Sequence, residues 1–165
     1  MATISLRGTE IHTSGELPSV GTPAPDFLLI KSDLSEARLG DYAGKNLILN
    51  IYPSIDTPTC AQSTRVFNEQ AASMENTVVL CVSADLPFAQ SRFCGAEGLE
   101  NVATGSTFRS GFALDYGVQI VDGPLQGLTA RAVVVVNPQG IISHAELVPE
   151  IAQEPNYEAA KNAIV

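Results

Sequence analysis

Leu47-Ile48-Leu49-Asn50-Ile51-Tyr52-Pro53-Ser54-Ile55-Asp56-Thr57-Pro58-Thr59-Cys60 is an apolar run, a loop punctuated by prolines and a cysteine in quick succession. Leu47 to Tyr52 has the length and composition of a strand, and Pro53 ends it. Further on, Phe67, Ala71 and Met74 recur at i, i+4 and i+7, which predicts an amphipathic helix from about Thr59 to Met74. Strand, tight loop and helix together place Cys60 in the first helical turn. Backbone N–H groups are unsatisfied there and the helix dipole is positive, an environment that favours thiolate over thiol. Cys60 is the candidate nucleophile.

Outward from this unit, the chain alternates strands and helices. Thr3–Leu6 and Glu10–Thr13 flank Arg7-Gly8-Thr9 and predict an N-terminal hairpin. The proline-rich stretch from Leu17 to Phe27 reads as an extended leader, followed by a short strand over Phe27–Ile30, a turn at Ser32–Ser35 and a helical turn over Leu39–Ala43 closed by Gly44. Thr77–Val82 is a continuous apolar run rich in β-branched residues, as expected of a strand covered on both faces. Asp85 is placed to cap a helix with Pro87 in its first turn, running through Phe93 and Cys94 until Gly95 and Gly98 break it. A further helix is expected over Phe108–Tyr116, ended by Gly117. Ala132–Val136 and Ile141–Leu147 form a hairpin about Asn137-Pro138-Gln139-Gly140, and a closing helix starts at Glu154–Tyr157. This order describes an α/β fold with a mixed central sheet flanked by helices, of thioredoxin-like arrangement, with residues 1–165 as a single domain.

Composition excludes several classes. With 165 residues, 45% apolar and 16% charged, the chain suits one globular core. A net charge of −9 with scattered basic residues argues against nucleic acid as a partner. The apolar runs are far shorter than the ~20 residues a membrane helix needs, and the N-terminus lacks a basic start followed by an apolar core. A cytoplasmic protein is expected. Three cysteines make a poor structural disulfide framework and too few ligands for a cysteine zinc site, and His12 and His144 have no ligand spacing. No metal or other cofactor is expected.

Three stretches carry a family resemblance. Gly21-Thr22-Pro23-Ala24-Pro25-Asp26-Phe27 resembles the leader of the peroxiredoxins, and Pro53, Thr57 and Cys60 have the spacing of that family's active-site loop. Ser83-Ala84-Asp85-Leu86-Pro87-Phe88-Ala89-Gln90-Ser91-Arg92-Phe93-Cys94-Gly95-Ala96-Glu97-Gly98 is similar to a segment found in the thiol peroxidase group, the atypical two-cysteine enzymes. Resemblance continues through Ala130-Arg131-Ala132-Val133 and covers nearly the whole chain. It implies Cys60 as peroxidatic cysteine, Cys94 as resolving cysteine through an intramolecular disulfide, and Arg131, Pro53 and Thr57 as the rest of the peroxide site. It also implies thioredoxin as reductant, a homodimer, and alkyl hydroperoxides alongside hydrogen peroxide as substrates.

The chemistry explains why more than a cysteine is required. A thiol of pKa ~8.5 is only about 3% ionised at pH 7. Full ionisation gains about 30-fold, or ~2 kcal/mol of barrier, part of which is lost because nucleophilicity falls with pKa. The remainder must come from groups that hold the O–O bond in line and stabilise the departing oxygen. Thr57 offers a hydroxyl, Arg131 a permanent charge with several donors, and Pro53 a loop shape that excludes water. Taken singly, Thr57 is equally a helix cap, Arg131 a surface residue at a strand start and Pro53 a strand terminator. Both cysteines fall on helices, so closing a disulfide between them requires at least one to unwind in part, and Gly95 and Gly98 lower that cost.

Cys81, inside an apolar strand, reads as a small core residue, and His12 and His144 as surface residues. Asp85 and Arg92 are candidates for orienting the segment around Cys94, Phe88 and Phe93 for lining a groove that takes an apolar peroxide tail; packing explains all four as well. Two rival functions stay open. A thiol–disulfide oxidoreductase usually needs Cys-x-x-Cys, whereas positions 57 and 63 are Thr and Ser. A non-enzymatic thioredoxin-fold binding module, such as a copper carrier, needs a second soft ligand within a helical turn of Cys60.

Overall fold

The computed structural model describes residues 1–165. Strand β5 (Asn46–Ile51) is an interior strand of a seven-stranded sheet and is followed by helix α1 (Pro58–Ala71) and strand β6 (Thr77–Ser83), which pairs parallel with β5. Helix α2 (Pro87–Glu97) leads to β7 (Ala103–Ser106), parallel to β6. On the other side β8 (Ala132–Val136) runs antiparallel to β5, and β9 (Ile142–Leu147) antiparallel to β8. The remaining edge is β3 (Leu28–Ile30) and β4 (Glu36–Arg38), giving the order β4-β3-β7-β6-β5-β8-β9. Thr3–Leu6 (β1) and Thr9–His12 (β2) form the separate N-terminal hairpin, and short helices α3 (Phe112–Asp115) and α4 (Tyr157–Asn162) complete the chain. This is the thioredoxin-like mixed sheet expected, with its hairpin.

Alternation along the central strands sorts the core into two layers. Leu47, Leu49 and Ile51 of β5 pack with Val134 of β8, Phe27, Phe112 and Tyr116. Ile48 of β5, Cys81 of β6 and Val133 and Val135 of β8 point the other way, against Cys60 and Phe67 of α1 and Phe93 of α2. Each layer removes apolar surface from water at about 25 cal/mol per Å². The all-buried strands therefore need no polar alternation, which is why they read as continuous apolar runs.

Several details depart from expectation. The hairpin turns on Arg7 and Gly8 alone, both at positive φ (50° and 83°), so β2 begins at Thr9. Strands β4 and β7 carry no sequence signal: each is very short, and Ala103-Thr104-Gly105-Ser106 has no apolar run. Gly105 has a packing reason, since a Cβ there would lie 3.0 Å from Leu29 Cδ1. The helix expected over Phe108–Tyr116 shrinks to α3, because Arg109 adopts φ 53° and the Ser110 hydroxyl donates to Leu28 O and accepts from Phe112 N. Gly117 ends it as expected, at φ 69°, where a Cβ would sit 2.3 Å from Glu16 O. Asp85 is not the cap of α2. Leu86 occupies that position without a side-chain bond, and the Asp85 carboxylate turns away toward the Pro53–Thr57 loop. No helix is long and apolar enough to cross a membrane.

Candidate active site

Cys60 is the third residue of α1 and is fully buried. Pro58 opens the helix, where its missing N–H costs nothing. Thr57 is the N-cap: its Oγ1 accepts from the Cys60 N–H at 3.4 Å and donates to Ser54 O at 3.1 Å. The donor of that hydroxyl is thus used within the loop, leaving an oxygen lone pair as its free hydrogen-bonding capacity. Below the cysteine, Ser63 and Thr64 hydroxyls donate to Cys60 O at 2.9 and 3.0 Å and hold the first turn of the helix to the second.

Arg131 arrives from just before β8, the strand next to β5. Ala132 pairs with Ile51, so the residue before β8 stands beside the end of β5, where Pro53 begins the loop. Thr129 Oγ1 donates to Tyr52 O at 2.6 Å and fastens the two strand ends. Arg131 is 1% exposed. Its Nε donates to Ile151 O at 2.7 Å and its Nη2 lies 3.2 Å from Cys60 Sγ, while Nη1 is buried without a protein partner. An arginine buried this completely is not the surface residue that its sequence position also allowed.

A cavity of about 330 Å³ opens against Pro53, Thr57 and Arg131, with Leu6, Leu125 and Ile151 as apolar walls. Cys60 sits behind this lining. The structure therefore brings Cys60, Thr57, Arg131 and Pro53 together. Phe88 and Phe93 do not join them: Phe88 is 65% exposed, and Phe93 packs into the core beneath α2. The walls come from the N-terminal hairpin and from the stretches around residues 125 and 151, to which the sequence assigns no element. Ile151 acts through a backbone carbonyl, which no residue type announces. Glu150 beside it accepts from Gly8 N (2.9 Å), Ala152 N (3.0 Å) and Ser5 Oγ (3.1 Å), and these bonds hold its carboxyl down to about 2.

Cys94 lies on α2, half-buried against the same apolar layer as Cys60, and burial pushes its thiol up. It is a free thiol, as are Cys60 and Cys81. The last turn of α2 closes on it: Gly98 is left-handed at φ 67°, and Leu99 N donates to Cys94 O at 3.0 Å. Two ion pairs span the gap between α2 and the Cys60 unit. Arg92 bonds Asp56 at 2.9 Å, and Arg65 Nε bonds Glu97 at 2.6 Å while its guanidinium lies 5.7 Å from the centre of the Phe93 ring. Cys81 is fully buried in β6, 3.6 Å from Asn50 Nδ2, and burial pushes its thiol up to about 12. His12 bonds Asp122 and Glu10, and no group of His, Cys, Asp and Glu is arranged to hold a metal ion.

A sheet of this order, with a buried cysteine at a helix start facing a buried arginine, defines a thioredoxin-fold thiol enzyme. The pattern of the Redoxin family matches residues 19–161. A thiol peroxidase of Mycobacterium tuberculosis is 59% identical, covering 99% of both chains. Among solved structures, a peroxiredoxin-like protein from Aquifex aeolicus superposes with a TM-score of 0.93 at 40% identity, covering 98% of this chain and 95% of that one. A thiol peroxidase from Chromobacterium violaceum gives 0.91 at 21% identity, with the same coverage, and bears on the fold alone. The chain belongs to the redoxin family and is a peroxiredoxin of the thiol peroxidase group, an oxidoreductase.

Proposed function

We propose that this enzyme reduces hydrogen peroxide and alkyl hydroperoxides at Cys60, resolves the product with Cys94, and is recycled by thioredoxin. The Cys60 thiolate attacks the terminal oxygen of the hydroperoxide. An S–O bond forms as the O–O bond breaks, and the leaving alkoxide takes a proton to become the alcohol. Arg131 donates to the oxygen on which charge develops. Thr57, its own proton committed to Ser54 O, accepts from the peroxide O–H. Pro53 shapes the loop and keeps water out.

The observation that carries this reading is the Arg131 guanidinium: one nitrogen 3.2 Å from the Cys60 sulfur and another buried without a partner. A buried donor left unpaired costs about 1–3 kcal/mol, a cost explicable if a substrate oxygen is its intended partner. The apolar walls Leu6, Leu125 and Ile151 support an organic tail on the peroxide.

The sulfenic acid at Cys60 is then attacked by the Cys94 thiol, releasing water and forming the disulfide. A dithiol protein reduces that disulfide by exchange, and thioredoxin is the partner of suitable chemistry. The exposed apolar side chains of Leu86, Phe88 and Phe108 support a homodimer that would cover them. Hydrogen bonds from the N-terminal hairpin to the Pro149–Ile151 wall favour residues 1–165 working as one domain. A cytoplasmic setting, where thiols stay reduced, suits the cycle.

Treating reduced protein with one equivalent of peroxide tests the reading. Wild type should lose two thiols in one fast turnover and Cys60→Ser none. Peroxide reduction that survives in Cys60→Ser would reject it.

A further inference from the structure

We infer that Asp85 is a positioning residue for peroxide reduction, acting through Ser54 on the Thr57 hydroxyl; this rests on the function proposed above. The Asp85 carboxylate accepts three hydrogen bonds: from Ser54 Oγ at 2.8 Å, Ile55 N at 2.7 Å and Ser83 Oγ at 2.6 Å. Two of the three reach into the loop that carries Pro53 and Thr57. Bonds to an ionised acceptor are about twice as strong as neutral ones, so they are well suited to fix a loop that has no ladder of its own.

Ser54 passes the constraint on. Its Oγ accepts from Asp56 N at 3.2 Å, and its carbonyl accepts both Thr57 N and Thr57 Oγ1 at 3.1 Å. While Ser54 is held, the Thr57 proton points at a backbone carbonyl, and the Thr57 oxygen is left to accept. Should Ser54 turn, that proton is freed and the hydroxyl competes as a donor beside the sulfur. Asp85 itself is braced from behind. Ser83 Oγ accepts from Gln90 Nε2 at 3.1 Å, Gln90 Nε2 also bonds Gly105 O at 3.2 Å, and Ser106 Oγ donates to Asp85 O at 2.6 Å. Ser83, Gln90 and Ser106 are fully buried. A rigid polar frame at the ends of β6 and β7 thus sets, through one carboxylate, the state of a hydroxyl on the opposite side of the loop. Asp85 does not line the cavity, so it acts only through these neighbours.

The test is the pre-steady-state rate of Cys60 oxidation by peroxide. Asp85→Ala should slow it by roughly 30-fold, in the range expected when a reacting group is misplaced by a fraction of an ångström. Asp85→Asn should stay within about threefold of wild type, since its amide oxygen still takes the Ile55 N–H and its NH₂ donates to Ser54 Oγ, a rescue that loss of stability alone would not show. In a Thr57→Val background, Asp85→Ala should add less than about twofold, because both changes remove the same contact. If Asp85→Ala does not fold, Ser54→Ala reads the same chain with the frame intact and should slow oxidation by about fivefold, again without adding to Thr57→Val. An unchanged rate in these variants, or the full loss reappearing on top of Thr57→Val, overturns the inference. A wild type whose Cys60 does not react with peroxide overturns the function itself, and that is seen before any variant is compared.

Discussion

Arg131 Nη2 lies 3.2 Å from Cys60 Sγ although 71 residues separate them in the chain. The contact is made by pairing β8 against β5, and it is fixed from behind by Ile151 O. Lysine keeps the charge but cannot bond Ile151 O, reach the sulfur and offer a third donor at once. Arg131→Lys should therefore lower the second-order rate constant for Cys60 oxidation by about 100-fold, measured by stopped-flow fluorescence or competition. A loss below about threefold would show that the guanidinium is not aligning the peroxide.

Cys81 behaves as core. With its thiol pushed up to about 12 by burial, it should remain unlabelled by iodoacetamide at pH 8 in the folded protein and become labelled in urea. Cys81→Ala should leave peroxide turnover unchanged and cost about 1 kcal/mol of stability, read from denaturant melts.

The proposed Cys60–Cys94 disulfide would join α1 to α2, and we expect α2 to open in part for it to close, since a bridge needs the two Cα atoms within about 7 Å. The Arg92–Asp56 pair is 63% and 60% exposed and holds α2 to the active-site loop. Exposed pairs are worth about 0.2–1 kcal/mol, so Arg92→Ala should accelerate loss of the second thiol by no more than about fivefold. High salt should reproduce part of that gain in wild type and less of it in the variant, where only Arg65–Glu97 is left to screen. Circular dichroism should show less helix in the oxidised form.

The N-terminal hairpin gives a pH signature. The His12 pKa is raised, chiefly by its bond to Asp122, with Glu10 adding to it. That contribution to stability is complete below the ordinary histidine value of 6.5 and is lost as pH rises through the raised value. The Asp122 carboxyl is lowered by the same bond, so its part is present above the ordinary 3.8 and disappears as pH falls through the lowered value. Thermal melts of His12→Gln should therefore fall below wild type at pH 6 and converge on it at pH 9. A gap that widens with pH would contradict the sign.

Much of this was legible in the sequence, for identifiable reasons. Strand β5 and helix α1 show their periods plainly, and the cysteine sits where the period changes. Arg131 is different: one arginine before Ala132-Val133-Val134-Val135-Val136 looks like a strand start, and only family resemblance marked it out. Its burial depends on pairing with a strand 80 residues earlier, which no local window contains. Asp85 was misread because an acidic residue shortly before Leu86-Pro87 has the signature of a helix cap, while its partners Ser54 and Ile55 lie about 30 residues away. Leu125 and Ile151 stayed invisible because loops that wall a cavity carry no periodicity of their own.

The most direct test of the central claim is peptide mass spectrometry on a Cys94→Ser variant after one equivalent of peroxide, trapped with dimedone. One adduct is expected, on the peptide that holds Cys60, with none on Cys81 and none anywhere when Cys60→Ser is added. An adduct on Cys81, or peroxide consumed with Cys60 unmodified, would contradict the assignment of that sulfur as the one that breaks the O–O bond.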